Sequence, residues 1–163
     1  MTEREYNNCV KNYADNVYRF VLKNLKNVPD AEDVVQTSFE VLWQRRNEVT
    51  TADPKSLLFT IAYRKMIDLI RKRKKVSYHD GMEPFDSAGH NSLADSNLKQ
   101  ALNMALDRLD ETRRALVLLK DYEGYSYQEI GVITSLSESQ VKVYLHRARL
   151  QLREYLVKIE NII

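Results

Sequence analysis

Apolar residues recur at steps of three and four along most of this chain. Tyr6, Cys9, Val10, Tyr13, Val17, Phe20 and Val21 follow that spacing, which places them on one face of a first helix. A second helix is predicted from about Asp30 to Glu48, with Ala31, Val34, Val35, Phe39 (or Ser38) and Leu42 as its apolar positions. Asp30 stands at its expected N-cap, and Glu32 and Asp33 fall in the first turn, where negative charge suits the helix dipole. A third helix is predicted from Asp53-Pro54, a capping residue followed by proline at the first helical position. It continues through Leu57, Leu58, Ile61, Ala62 and Ile70 to Lys75. From Val76 to Asn97 no period is sustained, and Gly81, Pro84 and Gly89 mark a flexible linker. Beyond it Leu98, Ala101, Leu102, Ala105 and Leu109 trace a fourth helix. Asp110 caps a fifth, striped by Ala115, Leu116, Leu118 and Leu119 and stopped at Gly124.

The next signals come from polar residues. Ser126-Tyr127-Gln128-Glu129 is a capping box, in which Ser and Glu three apart satisfy each other's free backbone amides. A second box, Ser137-Glu138-Ser139-Gln140, follows eleven residues later. Two helix starts that close leave room for a short helix at about 127–134, a turn at 135–137 and a longer helix from 138 to about 158. Ile130, Leu136 and Val141 fall where these parts must close on one another, and Gly131 permits close approach on the inner face. This is the pattern of a helix-turn-helix, whose second helix enters the major groove of DNA. That helix carries Lys142, Arg147, Arg149 and Arg153 with no acid from Gln140 to Arg153. It therefore offers positive charge to a phosphate backbone, while Ser139 and Gln140 near its start can hydrogen-bond to base edges or phosphate.

Composition supports helices: only 4 Gly and 3 Pro occur among 163 residues, of which 44% are hydrophobic. The expected fold is all-α, with two small helical domains (1–75 and 98–163) joined by a flexible linker (76–97), the second domain containing the helix-turn-helix. No apolar run approaches the roughly 20 residues of a membrane span, and Met1 to Tyr6 lack the apolar stretch of a secretory signal. The single cysteine, Cys9, reads as a small buried apolar residue and fits a reducing cytosol, so a cytoplasmic location without membrane insertion is expected. His79 and His90 lie near Asp80 and Asp86, but their spacing matches no metal geometry. There is no Ser/His/Asp set and no phosphate-binding glycine loop. No catalytic residue, metal or cofactor is expected.

The net charge of +2 is unevenly spread. Residues 1–75 carry 15 Lys and Arg against 10 acids, the linker 0 against 4, and residues 98–163 carry 10 against 9. Seven of the cations fall between Arg64 and Lys75, where Asp68 is the only acid. They continue a helix bearing Phe59 and Tyr63, and aromatics beside cations suit single-stranded nucleic acid, whose bases stack while its backbone is tracked by charge. The same rings at the same spacing also serve a core, and both readings stand at this stage. The second helix begins instead with Asp30, Glu32, Asp33 and Gln36, an acidic face that is either solvated or recognised by a basic protein groove.

Asp30-Ala31-Glu32-Asp33-Val34-Val35-Gln36-Thr37-Ser38-Phe39 with Leu42-Trp43 resembles region 2.2 of the extracytoplasmic-function (ECF) sigma factors. Pro54 to Arg64, with Ile67-Asp68 and Arg71, is similar to their regions 2.3 and 2.4. Tyr125 to Gly131 and Val141-Lys142 through Leu145-His146-Arg147-Ala148-Arg149 resemble region 4.2. The resemblance implies a non-enzymatic subunit that gives core RNA polymerase its promoter specificity. Asp30, Asp33, Gln36, Thr37 and Glu40 would dock on the β′ clamp coiled coil. Phe59, Tyr63, Arg64, Lys65, Asp68, Arg71 and Arg73, with the loop at about Arg46 to Asp53, would read and help melt the −10 element of promoter DNA. Ser139, Gln140, Lys142, Val143, Tyr144, His146, Arg147 and Arg149 would read the −35 element while the second domain packs on the β flap. Control by an anti-sigma factor is also implied. The family often has Glu at Thr37, Ala at Gly131 and Leu-Gly at Thr134-Ser135, so Ser135 must make the turn in another way. The alternative is a one-component helix-turn-helix regulator with an N-terminal helical dimerisation or ligand domain.

Overall fold

Thr2 opens the first helix, α1 (Glu3–Leu25), with a capping box: its hydroxyl accepts the Glu5 amide at 3.2 Å, and the Glu5 carboxylate accepts the Thr2 amide at 3.0 Å. The structure, a computed structural model, describes residues 1–49, 53–80 and 97–162, the side chains of 77–80 and 159–162 excepted. Among these residues the chain forms seven α-helices and one π-turn, with no strand. It splits into two compact units, the first built on α1–α3 and the second on α4, α5, the start of α6, and α7.

α2 (Val28–Gln44) begins earlier than its sequence pattern predicts. Asn27 is the cap, its side-chain oxygen accepting the Asp30 amide at 3.0 Å, and Pro29 sits in the first turn, where it forfeits no hydrogen bond. Asp30 is thus an acid in the first turn and not the N-cap. α3 (Pro54–Asp80) starts where expected, with Asp53 accepting the Lys55 amide at 3.1 Å, but runs five residues past Lys75 into the predicted linker. The five added residues, Val76 to Asp80, are all weak helix formers, so this extension is not one that helix propensity predicts.

α1, α2 and α3 pack pairwise against one another. Val17, Phe20, Leu42, Leu58, Phe59 and Met66 are buried between them, and the Phe20 and Phe59 rings lie 5.5 Å apart. Cys9 is buried, and desolvation, helped by the Asp53 carboxylate, pushes its thiol up to about 11. Tyr6 meets Trp43 edge to face at 4.9 Å and donates a hydrogen bond to the Phe39 carbonyl at 3.1 Å.

In the second unit, α7 (Glu138–Ile162) packs against α4 (Asn97–Asp107) and α5 (Glu111–Val117). Asp110 caps α5 as expected, accepting the Arg113 amide at 2.8 Å. α5 does not stop simply at Gly124. It widens into a π-turn (Leu118–Tyr122), closed by the Glu123 amide on the Leu118 carbonyl at 3.0 Å, before Gly124 turns the chain at φ +75°. α6 (Tyr127–Thr134) then leads to α7.

Candidate nucleic-acid interface

Both capping boxes form. Ser126 and Glu129 exchange backbone-to-side-chain hydrogen bonds at 3.0 and 3.1 Å, and Ser137 and Gln140 do the same at 2.9 and 3.1 Å. Side chains that bond their own backbone fix where α6 and α7 start, and hence the length of the turn between them. Two further features close that turn. The Leu136 amide donates to the Gly131 carbonyl at 3.0 Å, and a Cβ on Gly131 would lie 2.7 Å from the Leu136 carbonyl oxygen. Ser135 adopts φ +61°, so it takes the left-handed conformation that glycine supplies at little cost.

The resulting α7 has two distinct sides. Val141, Leu145, Ala148 and Leu152 are buried, whereas Ser139, Gln140, Lys142, Val143, His146 and Arg147 are exposed and Tyr144 is half-buried. Lys142 is held loosely by Glu138 at 3.4 Å. Arg149 is exposed but engaged: its guanidinium pairs with Asp121 at 2.9 Å, and that hydrogen bond raises its pKa above the ordinary value. Lys120 lies over the Tyr127 ring at 4.4 Å and Lys142 at 5.6 Å from its centroid. Sequence reasoning missed this Lys120–Asp121–Tyr127 group. A π-turn leaves no periodic trace, and Tyr127 registered only as the second residue of a capping box.

In the first unit, Arg64, Asp68, Arg71 and Arg73 on α3 are exposed and Lys65 is half-buried. Phe59 and Tyr63 are not beside them on the surface. Phe59 is fully buried against Phe20 and Tyr63 is 7% exposed, so both rings belong to the core of this fold. On α2, Asp33, Gln36 and Glu40 are exposed and Thr37 is half-buried, with the Gln36 amide donating to Glu40 at 3.5 Å. Asp30 and Arg73, assigned to two different surfaces from sequence, form an ion pair with each other. Arg46 covers the Trp43 ring at 4.1 Å. Thr50 to Ala52 of the expected promoter-reading loop lie outside the described residues, as do His90 and the side chain of His79. Among the described residues no three His, Cys, Asp or Glu cluster as metal ligands, and no helix is long and apolar enough to cross a membrane.

Comparison with known proteins places both units. The family model Sigma-70 region 2 matches residues 9–76, and Sigma-70, region 4 matches residues 99–152. The RNA polymerase sigma factor CarQ of Myxococcus xanthus is 30% identical over 91% of this chain and 87% of its own length. The chain is a sigma factor of the sigma-70 family. The ECF RNA polymerase sigma factor SigE of Mycolicibacterium smegmatis is 31% identical over 94% of this sigma factor, which spans 62% of SigE, and the subgroup named by that relative is the one its motifs resemble. In fold this sigma factor is similar to RpoE of Bartonella quintana, solved with the anti-sigma factor NepR, at a TM-score of 0.82 and 24% identity over 94% of this chain and 97% of that one. The α6–turn–α7 junction thus lies inside the region 4 match, and the basic run Arg64 to Lys75 of α3 inside the region 2 match.

Proposed function

We propose that this sigma factor acts in the cytoplasm, without chemistry of its own, by docking on core RNA polymerase and presenting two DNA-reading surfaces to a promoter. The acidic-polar face of α2, with Asp33, Gln36 and Glu40 exposed, docks on the β′ clamp coiled coil. The cations Arg64, Lys65, Arg71 and Arg73 of α3 hold the strand opened at the −10 element, with Asp68 among them. Ser139, Gln140, Lys142, Val143, Tyr144, His146 and Arg147 enter the major groove of the −35 element, while the same unit packs on the β flap. Arg149 supports that surface through Asp121 and remains exposed enough to meet a phosphate. An anti-sigma factor covering the docking face holds the protein inactive.

The observation that carries this reading is the divided α7: four apolar side chains buried on one side, and a polar, cationic row exposed on the other from its first turn. Run-off transcription with core polymerase and a library of promoter templates tests it. Discrete start sites that depend on the added protein are expected, with loss of the strongest in R147A. Sequence-specific binding to duplex DNA by the protein alone, as a dimer and without transcription, would instead support a one-component regulator.

A further inference from the structure

α1 and α2 leave an open cleft of about 390 Å³, lined by Glu3, Tyr6, Asn7, Glu40, Trp43 and Gln44. The lining holds two carboxylates, two side-chain amides and two aromatic rings, with no basic residue among them. Among the described residues neither carboxylate is neutralised by a cation: Glu40 accepts only the Gln36 amide, at 3.5 Å, and no ion pair holds Glu3. The floor is fixed, because Tyr6 and Trp43 meet edge to face at 4.9 Å and Tyr6 is tied to the Phe39 carbonyl. Trp43 already accommodates one guanidinium, that of Arg46, at 4.1 Å from its ring centroid.

Such a lining has one complementary chemistry. Carboxylates and amide oxygens accept hydrogen bonds, while ring faces favour a flat, weakly hydrated cation. A guanidinium supplies both, with five N–H donors in a plane that stacks on aromatics, whereas an ammonium is compact and strongly hydrated. Glu40 also belongs to the α2 face assigned to polymerase docking, so the cleft opens beside that face and continues it.

We propose that the cleft receives an arginine side chain of core RNA polymerase when α2 docks. The proposal rests on the docking reading above. Glu3 separates the two, because it lines the cleft and lies on α1, whereas Asp33 and Gln36 lie on α2 and do not line the cleft. Core binding by the full chain should be measured by surface plasmon resonance for Glu3→Gln, Glu3→Arg, Asp33→Ala and Asp15→Arg. The last makes the same charge change as Glu3→Arg at an exposed α1 position outside the cleft.

Expected are a loss of about 3- to 10-fold for Glu3→Gln and a larger one for Glu3→Arg, with Asp15→Arg near wild type. Trp43, the only tryptophan, gives a direct second reading. Its fluorescence should change saturably with N-acetyl-arginine methylamide, less with the lysine analogue at equal ionic strength, and less in Glu3→Gln. If Asp33→Ala weakens binding and neither Glu3 variant does, the docking reading stands and the arginine site is overturned. Equal losses in Glu3→Arg and Asp15→Arg assign the effect to net charge and also overturn it. If no variant weakens core binding, the docking reading fails, and the absence of a saturable arginine-specific Trp43 response removes the cleft as well.

Discussion

Gly131→Ala should weaken the second unit although alanine is the better helix former. The new Cβ would stand 2.7 Å from the Leu136 carbonyl oxygen, 3.8 Å from its carbon and 3.9 Å from the Glu138 nitrogen. A carbon and a carbonyl oxygen normally approach to about 3.3 Å, so roughly 0.6 Å of overlap must be relieved. Every obstructing atom is backbone, and the segment is held by the Leu136 amide on Gly131 itself at 3.0 Å and by the Val141 amide on Ser137 at 3.0 Å. Relief by overpacking costs about 1–3 kcal/mol, and alanine returns at most about 1 kcal/mol in helix propensity, leaving a net loss near 1–2 kcal/mol. For a unit of this size that lowers its melting temperature by about 4–15 °C. Calorimetry of the full chain should show one transition moving down, while Trp43 fluorescence, which reports the first unit, keeps its midpoint. A variant that melts at or above the wild-type temperature would refute the argument that close backbone approach requires glycine here.

Ser135→Gly should act in the opposite sense, stabilising the turn between α6 and α7 by about 0.5–1 kcal/mol because φ +61° is strained for serine. Urea denaturation followed by helical circular dichroism measures it, and no gain would mean the turn holds serine without strain. Neutralising Arg71 and Arg73 together should impair open-complex formation more than core binding, with the salt slope reduced by about 0.7 for each single-strand phosphate that the variant no longer neutralises. Permanganate reactivity of the −10 bases across a salt series reads this, and unchanged opening at every salt concentration would return the basic run to a solvated helix end. Raising the pH should destabilise the first unit. The Cys9 thiol titrates at its ordinary value of 9.0 when unfolded and about 11 when buried, so its contribution is complete below pH 9 and is lost as pH rises toward 11. Wild type should therefore lose stability relative to C9A across that window, and parallel pH profiles would contradict it.

What sequence shows well here is what local bonding decides. The two capping boxes and the Asp110 cap are exchanges between a side chain and backbone three residues away, and α6 spans Tyr127–Thr134 as its box predicts. Ambiguity arises where two residues are chemically equivalent: Asn27 and Asp30 are both good caps three apart, and Pro29 is tolerated after the first of them. Phe59 and Tyr63 show a different difficulty. Their spacing fits a core stripe and a base platform alike, and only the packing of α1 and α2 on α3 assigns both rings to the interior. Arg149 looks like its neighbours Arg147 and Lys142 until Asp121, 28 residues earlier, is brought beside it by the π-turn.

The solitary buried thiol has a practical side. Cys9 is the only cysteine, is 3% exposed and keeps its proton at neutral pH, so it lacks the thiolate that would attack a maleimide or a disulfide. A cysteine introduced at an exposed position, such as Val157 on α7, will therefore carry a dye alone, without prior removal of the native residue. With Trp43 as a natural donor in the first unit, such a label on the second makes the chain its own molecular ruler, because energy transfer between them measures the distance separating the two residues.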